Sequence, residues 1–223
     1  MIAVSGLSKR YGDNVVFDAL SLSVPAGTTC LTGPSGSGKT TLARILAGLE
    51  DADSGTVSGL CGSVVYLFQE PRLLPWANAL DNIILAAPDL RARSEAGGEK
   101  RSSRSARRAA LKAEASGLLA ALGLSDADGG KLPAELSGGM RQRVCLARAA
   151  LHCRALTRAG EKISAVVLDE PLKGLDAATR AAAVDFIKTE FAPVAEHLII
   201  ITHSGRDVDD FGGVTVPALL SKS

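Results

Sequence analysis

Three short apolar runs, SVVYLF (residues 63–68), AVVLDE (165–170) and HLIIITH (197–203), stand out from an otherwise mixed chain. Their Val, Ile and Leu follow one another without alternation, which predicts central strands covered on both faces, as in a parallel sheet. Each run ends in polar residues: Gln69, then Asp169 and Glu170, then His203. Ligands of open α/β sheets bind beyond the carboxyl ends of the strands, so these polar groups are candidate ligand contacts. Residues 1–32 alternate short apolar runs with the turns YGDN and VPAG, a pattern of antiparallel strands. The run TTCLT (28–32) leads into a glycine-rich turn. After it, TTLARILAGL places Leu42, Ile45, Leu46 and Leu49 at helical spacing and meets Gly48 near its end.

The middle of the chain differs. Residues 91–112, RARSEAGGEKRSSRSARRAALK, mix Arg, Ser and Gly with almost no large apolar residue. No aromatics interleave the charges, so the stretch reads as a solvated loop or the polar start of a helix rather than a nucleic-acid patch. A helical pattern resumes in AALKAEASGLLAALGL and runs towards LSGGMRQRV (136–144). The pattern as a whole predicts an α/β fold with a core of mostly parallel sheet, an N-terminal antiparallel β subdomain and an inserted helical subdomain, and the strand, glycine-rich turn and helix over 28–49 resemble the opening of a P-loop NTPase core. The expected layout is one domain over 1–223, with the core in 1–69 and 152–223 and the helical part in about 70–151.

GPSGSGKTT, from Gly33 to Thr41, has the spacing of a phosphate-binding loop, with Gly33, Gly38, Lys39 and Thr40 in register. Gly33, Gly36 and Gly38 let the backbone curl so that its N–H groups face an anion, and the following helix adds its positive end. Ser35, Ser37 and Thr41 complete the candidate nucleotide-binding stretch. Lys39 is expected to bridge the β- and γ-phosphates, and the Thr40 hydroxyl to ligand Mg²⁺. At the end of AVVLDE, Asp169 suits Mg²⁺ held through water, and Glu170 suits polarisation of an attacking water. Gln69 has a side-chain oxygen able to reach metal or water, His203 a ring nitrogen able to donate to phosphate, and Tyr11 a ring on which adenine can stack. Each of these three also has an ordinary structural reading, as a polar strand end, a satisfied histidine and a turn tyrosine.

LSGGMRQRV raises a separate question. Ser137 is a good N-cap, and Gly138 and Gly139 expose backbone N–H groups at the mouth of a helix. The stretch lacks the Lys and Thr of the first loop, so its chemistry is that of half a site, or of a capped helix with a solvated basic face.

Composition narrows the class. The 223 residues are 46% hydrophobic and 22% charged, a globular balance, and the formal net charge of +1 gives no general attraction to nucleic acid. Cys30, Cys61, Cys145 and Cys153 are scattered without a CxxC pair and read as buried thiols in a reducing compartment. Neither a signal peptide nor a run of ~20 apolar residues is visible, so a cytoplasmic location with membrane contact through a partner is expected.

In order, these motifs resemble the nucleotide-binding subunit of an ABC transporter, and the resemblance covers nearly the whole chain. LSGGMRQRV is similar to the family signature, and LFQEPRLLPWANALDNI is similar to ATPases of nitrate, sulfonate and taurine importers. The resemblance implies ATP and Mg²⁺ as cofactors and a second nucleotide-binding subunit paired head to tail, a homodimer by expectation. It further implies a membrane permease, with an extracytoplasmic solute-binding protein as a possible component, and location on the inner face of the membrane. Ser137, Gly138 and Gly139 would then touch the γ-phosphate bound to the partner, with Tyr11 on adenine, Gln69 in the Q-loop, Glu170 as catalytic base, Asp176 in the D-loop and His203 as switch histidine. Trp76, Leu73 and Leu74 would face the permease, although a core role for them is equally compatible with their chemistry. The sequence departs from importer relatives at Lys173 and Gly174, in the long linker HCRALTRAGEKIS (152–164), and in a short tail that is expected to leave no room for a regulatory C-terminal domain. Soluble ABC ATPases acting on nucleic acid would need tandem domains or a coiled coil, and a P-loop kinase or GTPase would not account for Ser137 to Gly139.

Overall fold

A computed structural model describes residues 1–87, 101–212 and 214–217, with the side chains of 101–104 and 215–217 left aside. The chain forms two compact units, one of Met1–Tyr66, Lys162–Pro171 and Ala192–Ser223, the other of Leu67–Glu161 and Leu172–Phe191.

In the first unit, β1 (Ile2–Tyr11) pairs antiparallel with β2 (Asn14–Val24), from Ile2 opposite Val24 to Tyr11 opposite Asn14. Pairing of consecutive strands is interrupted there. The next strand, β3 (Gly27–Thr32), runs parallel to β7 (Ala195–Ile201) and β8 (Val214–Pro217), and the free edge of β1 is taken instead by β4 (Ser54–Ser58). With β5 (Ser63–Leu67) and β6 (Ile163–Asp169), the five-stranded sheet has the order β5-β6-β7-β3-β8. All seven residues of β6 are buried, as its unbroken apolar run predicts. Helix α1 (Lys39–Leu46) supplies Leu42 and Leu46 to a core shared with Leu31, Val167, Ile199 and Ile201. The helix ends before Gly48, so Leu49, expected on its apolar face, lies beyond it and is exposed. Three cysteines are buried as expected, but Cys61 is exposed in the turn before β5, where its amide donates to Ser164. Burial pushes the Cys30 and Cys145 thiols up to about 11 and Cys153 to about 12.

The second unit is helical: α2 (Ala79–Ile84), α3 (Arg101–Ala121), the short α4 (Asp126–Gly129), a 3₁₀ turn (Pro133–Glu135), α5 (Gly138–Arg158) and α6 (Ala177–Glu190). The basic stretch 91–112 enters α3 from residue 101, and its residues 91–100 lie outside the described residues. Leu80 and Ile83 of α2, Leu118 and Leu119 of α3, and Leu146 and Leu151 of α5 are buried. The linker expected over 152–164 is corrected: α5 continues to Arg158, so the true connection to β6 is four residues. Its polar look comes from the outer face. Cys153 and Leu156 point inward, while Arg154 pairs with both oxygens of Glu190 at 2.9 and 2.6 Å and with Glu114 at 3.1 Å.

Asn82 organises the segment before α2. It is 2% exposed and spends its whole amide on backbone: Oδ1 accepts from Leu74 N–H at 2.7 Å, and Nδ2 donates to the carbonyls of Leu74, Ala77 and Asn78 at 3.2, 2.8 and 3.0 Å. The segment it holds carries Trp76, which is 76% exposed. Asn82→Leu keeps the volume but strands these backbone groups. It should lower unfolding free energy by about 2–4 kcal/mol in urea titrations and speed chymotryptic cleavage at Trp76. An unchanged midpoint and cleavage rate would show that the loop does not depend on this side chain.

Candidate functional site

The first unit builds a cradle where β3 gives way to α1. Between Thr32 and Lys39 the backbone turns left-handed at Gly36 and Gly38, with φ of 79° and 88°. Gly38 is required twice over, since a Cβ there would also sit 2.4 Å from the Phe17 ring. Helix α1 starts without a side-chain cap and without an acidic residue in its first turn. Its leading N–H groups are therefore left for an anion. Lys39 is 7% exposed, and its Nζ donates to the carbonyls of Gly33 and Pro34, both at 2.8 Å. Burial lowers its pKa, and the charges of Glu170 and Asp169 work against that. Inside the loop, Ser37 Oγ is buried without a hydrogen-bond partner, a donor awaiting a ligand. Ser35 and Gly36 are exposed, and Thr40 is half-buried.

The end of β6 meets this loop. Asp169, 2% exposed, accepts on Oδ2 from the Thr40 hydroxyl at 3.0 Å and from the Tyr66 hydroxyl at 3.1 Å. Burial raises its pKa, and the two hydroxyls pull it back. The next residue leaves the strand abruptly. Glu170 has φ of 48°, in the left-handed region where few residues other than glycine rest, and its N–H donates to Ile201 at 3.0 Å. That strained turn aims the carboxylate away from the line of the strand, where Oε1 meets His203 Nδ1 at 2.9 Å. An ionised carboxylate has no proton to give, so the ring nitrogen is the donor. Tyr11 is 47% exposed at the end of β1; its hydroxyl donates to Glu50, and Lys9 Nζ lies 5.5 Å from its ring centroid. Burial first, then Glu50, push the phenol up, and Thr41 of the cradle pulls it back.

Hard oxygen donors stand together here: the Thr40 hydroxyl and the Asp169 carboxylate. Among the described residues no group of three or more His, Cys, Asp or Glu could form an all-protein metal cage. Magnesium takes one or two carboxylates and completes its shell with water and substrate phosphate. Thr40 and Asp169 beside a phosphate cradle therefore fit Mg²⁺.

Within the second unit, a cleft of about 450 Å³ is lined by Gln69, Ser137, Gly138, Gly139, Lys173 and Asp176, among others. Ser137 caps α5, its Oγ accepting from Met140 N–H at 3.2 Å. A Cβ at Gly139 would lie 3.2 Å from the Gly174 carbonyl, whereas at Gly138 nothing stands within 4 Å. Asp176 caps α6, with Oδ1 accepting from the Ala178 and Thr179 amides at 3.0 and 3.1 Å and Oδ2 from the Thr179 hydroxyl at 2.7 Å. These bonds, led by Thr179, lower its pKa. Gly174 sits at φ of 75°, which gives one half of the Lys173–Gly174 departure a backbone reason. Leu73 and Leu74 are half-buried near Trp76 in sequence.

The sequence-predicted residues thus gather in two places. Tyr11, the loop from Gly33 to Thr41, Asp169, Glu170 and His203 belong to the first unit, and Gln69, Ser137, Gly138, Gly139 and Asp176 to the cleft of the second. Sequence reasoning missed Tyr66. Its signal was a polar tip one residue before the end of an apolar strand, aimed at the acidic end of the neighbouring strand.

The pattern of the ABC transporter family matches residues 17–173. The aliphatic sulfonates import ATP-binding protein SsuB 2 of Xanthomonas axonopodis pv. citri is 38% identical over 210 residues, covering 91% of this chain and 62% of that protein. SsuB of Rhodopseudomonas palustris is 38% identical over 205 residues, 90% of this chain and 64% of that one. SsuB of Escherichia coli is 37% identical over 212 residues, 91% and 71%. The chain thus spans less than two thirds of the length of the first two relatives. A solved dimeric structure of a bacterial ABC transporter cassette shares the fold at a TM-score of 0.73 and 22% identity, covering 96% of this chain and 94% of that one. With the phosphate cradle, the Asp169–Glu170 strand end and the Ser137–Gly139 helix mouth all in place, the family pattern over residues 17–173 means that this chain belongs to the ABC transporter family.

Proposed function

We propose that this chain is the ATP-hydrolysing subunit of an importer, driving uptake through a separate membrane permease. The observation that carries the reading is the Glu170 turn: a strained left-handed residue holds a carboxylate out from the end of β6 and onto His203, beside a phosphate cradle. Strain of this kind gathers at active sites, and a general base for water has to be turned out of its strand to reach the phosphate cradle.

The loop from Gly33 to Thr41 binds the phosphates through backbone N–H groups and the Ser37 hydroxyl, and Tyr11 stacks on adenine. Lys39 exchanges its two carbonyl partners for the β- and γ-phosphates, recovering in charge what burial costs it. Thr40 and Asp169 would hold Mg²⁺, Asp169 through water, and the ion would neutralise charge developing on the phosphates. Glu170 takes the proton of the attacking water, and His203 steadies that carboxylate and reaches the terminal phosphate.

Ser137, Gly138 and Gly139 offer amides and a helix end but no Lys or Thr, so they serve a nucleotide held by a second copy of the chain, with Asp176 at the same junction. No helix among the described residues is long and apolar enough to cross a membrane. Exposed Trp76, with Leu73 and Leu74, forms the surface offered to the permease on the cytoplasmic face, and Asn82 keeps that surface in shape. The SsuB relatives are named for aliphatic sulfonates import, which favours a small organic anion as solute and an extracytoplasmic solute-binding protein to deliver it. No role for nucleic acid enters this reading.

Glu170→Gln keeps shape and the His203 contact while removing the base. Phosphate release should fall at least about 100-fold with ATP binding retained; near-normal turnover would remove Glu170 from the role. Ser137→Arg fills the cleft of the second unit without touching the cradle. Turnover should drop at least about tenfold while the Kd for ATP stays within about threefold. An active Ser137→Arg protein would overturn the shared site.

A further inference from the structure

His203 stands between two residues whose backbone is fixed, and a buried pair does the fixing. Thr202 is 1% exposed and Asp207 5%. The Thr202 amide donates to the Leu31 carbonyl at 3.1 Å, extending the β3–β7 pairing one residue past the strand. Its hydroxyl donates to Asp207 Oδ2, and the hydroxyl oxygen, Thr202 Oγ1, accepts the Ser204 N–H at 3.0 Å. The Asp207 amide returns to the Ser204 carbonyl at 3.2 Å, from the first turn of α7 (Gly205–Phe211).

A hydroxyl has one proton and two lone pairs. The hydroxyl's single O–H donates to the carboxylate, which turns a lone pair towards the Ser204 amide. Asp207 thus sets the rotation of the Thr202 hydroxyl, and the hydroxyl sets the peptide that follows His203. The carboxylate is sealed in: it also faces Cys30 on β3, whose thiol is pushed up to about 11 by burial and then by this charge. An apolar pair would fill the same space without the desolvation cost of a buried carboxylate, so the charge calls for a reason beyond packing. The other side of the site supplies one. The Glu170 amide is tied to the Ile201 carbonyl, so the carboxylate and the imidazole that meet at 2.9 Å hang from backbone anchored on adjacent residues of one strand end.

We propose that the buried Thr202–Asp207 pair is a positioning device for His203, holding its peptide so that the ring stays on Glu170 and its other nitrogen is left for the terminal phosphate. The inference rests on the ATPase reading for its catalytic consequence, but not for its geometric one. Neither Thr202 nor Asp207 touches substrate; both act through His203.

The test uses the full chain with three variants, followed by steady-state ATPase kinetics, thermal unfolding and ¹⁵N spectra of the histidine rings of the nucleotide-free protein. Thr202→Val keeps the branched shape and removes the hydroxyl. It should lower kcat about 10- to 100-fold with KM little changed, and the His203 ring should lose its single-tautomer signal. Thr202→Val takes one hydrogen bond from a buried carboxylate, so Thr202→Val with Asp207→Leu should raise the thermal midpoint above that of Thr202→Val while kcat stays low. Thr202→Ser restores the hydroxyl and should restore kcat and the ring signal. Recovery of kcat together with stability in the double variant would reduce the pair to packing and overturn the proposal, as would a Thr202→Val protein with normal kcat and ring signal. If the unaltered chain shows no ATPase activity, it is the ATPase reading that fails, and the ring spectra still decide whether the pair positions His203.

Discussion

A carboxylate buried at the end of a central strand has to be matched, and Asp169 is matched from both sides. Thr40 reaches it from the first turn of α1 and Tyr66 from β5, so one oxygen ties the phosphate loop, the acidic strand end and the sheet edge into a single arrangement. Burial raises the Asp169 pKa while the two hydroxyls favour the charge. That balance holds the carboxylate in place against burial and against the charge of neighbouring Glu170. Glu170 follows directly and has a different job. Because Asp169 must point into the site along the line of β6, its neighbour can reach the same space only by leaving the strand, and the φ of 48° is how it does so.

The second unit works by a different economy. Its helix mouth is neutral, capped by Ser137 and kept open by glycines, one of which is pressed against the Gly174 carbonyl. Arg141 and Arg143 line the cleft but spend hydrogen bonds on the carbonyls of Leu136 and Leu122 at 2.8 and 2.9 Å. These bonds tie α5 to the backbone around the helix mouth.

Much of this was legible before any coordinates. The unbroken apolar runs of β6 and β7 mark central strands because a strand buried on both faces has no polar alternation to show, whereas SVVYLF, expected to be central on the same ground, forms β5 at the sheet edge and is only partly buried. The glycine loop was legible because left-handed backbone leaves few other choices. Other features were hidden for physical reasons. Arg154 and Arg158 make the stretch 152–158 read as a linker, yet Cys153, Ala155 and Leu156 give it a buried face within α5. Tyr66 and Asn82 were invisible as functional residues because their roles lie in partners distant in the chain or in backbone carbonyls, which leave no mark on spacing. Residue type alone predicts a buried Cys61, but the stretch before β5 exposes it.

What the sequence determined by itself is whatever depends on local backbone and period: the strand that ends in Asp169 and Glu170, the cradle from Gly33 to Thr41, and the Ser137 cap with its two glycines. Tertiary structure alone decided which of these meet. It put the Tyr66 and Thr40 hydroxyls on one Asp169 oxygen, turned Glu170 out of its strand onto His203, grouped α6 with the helices of the second unit, and set Thr202 against Asp207 behind the histidine. The reason is that propensity and period act over a few residues. A buried polar group is satisfied by whichever partner the fold brings within about 3 Å, however far away it lies in the chain.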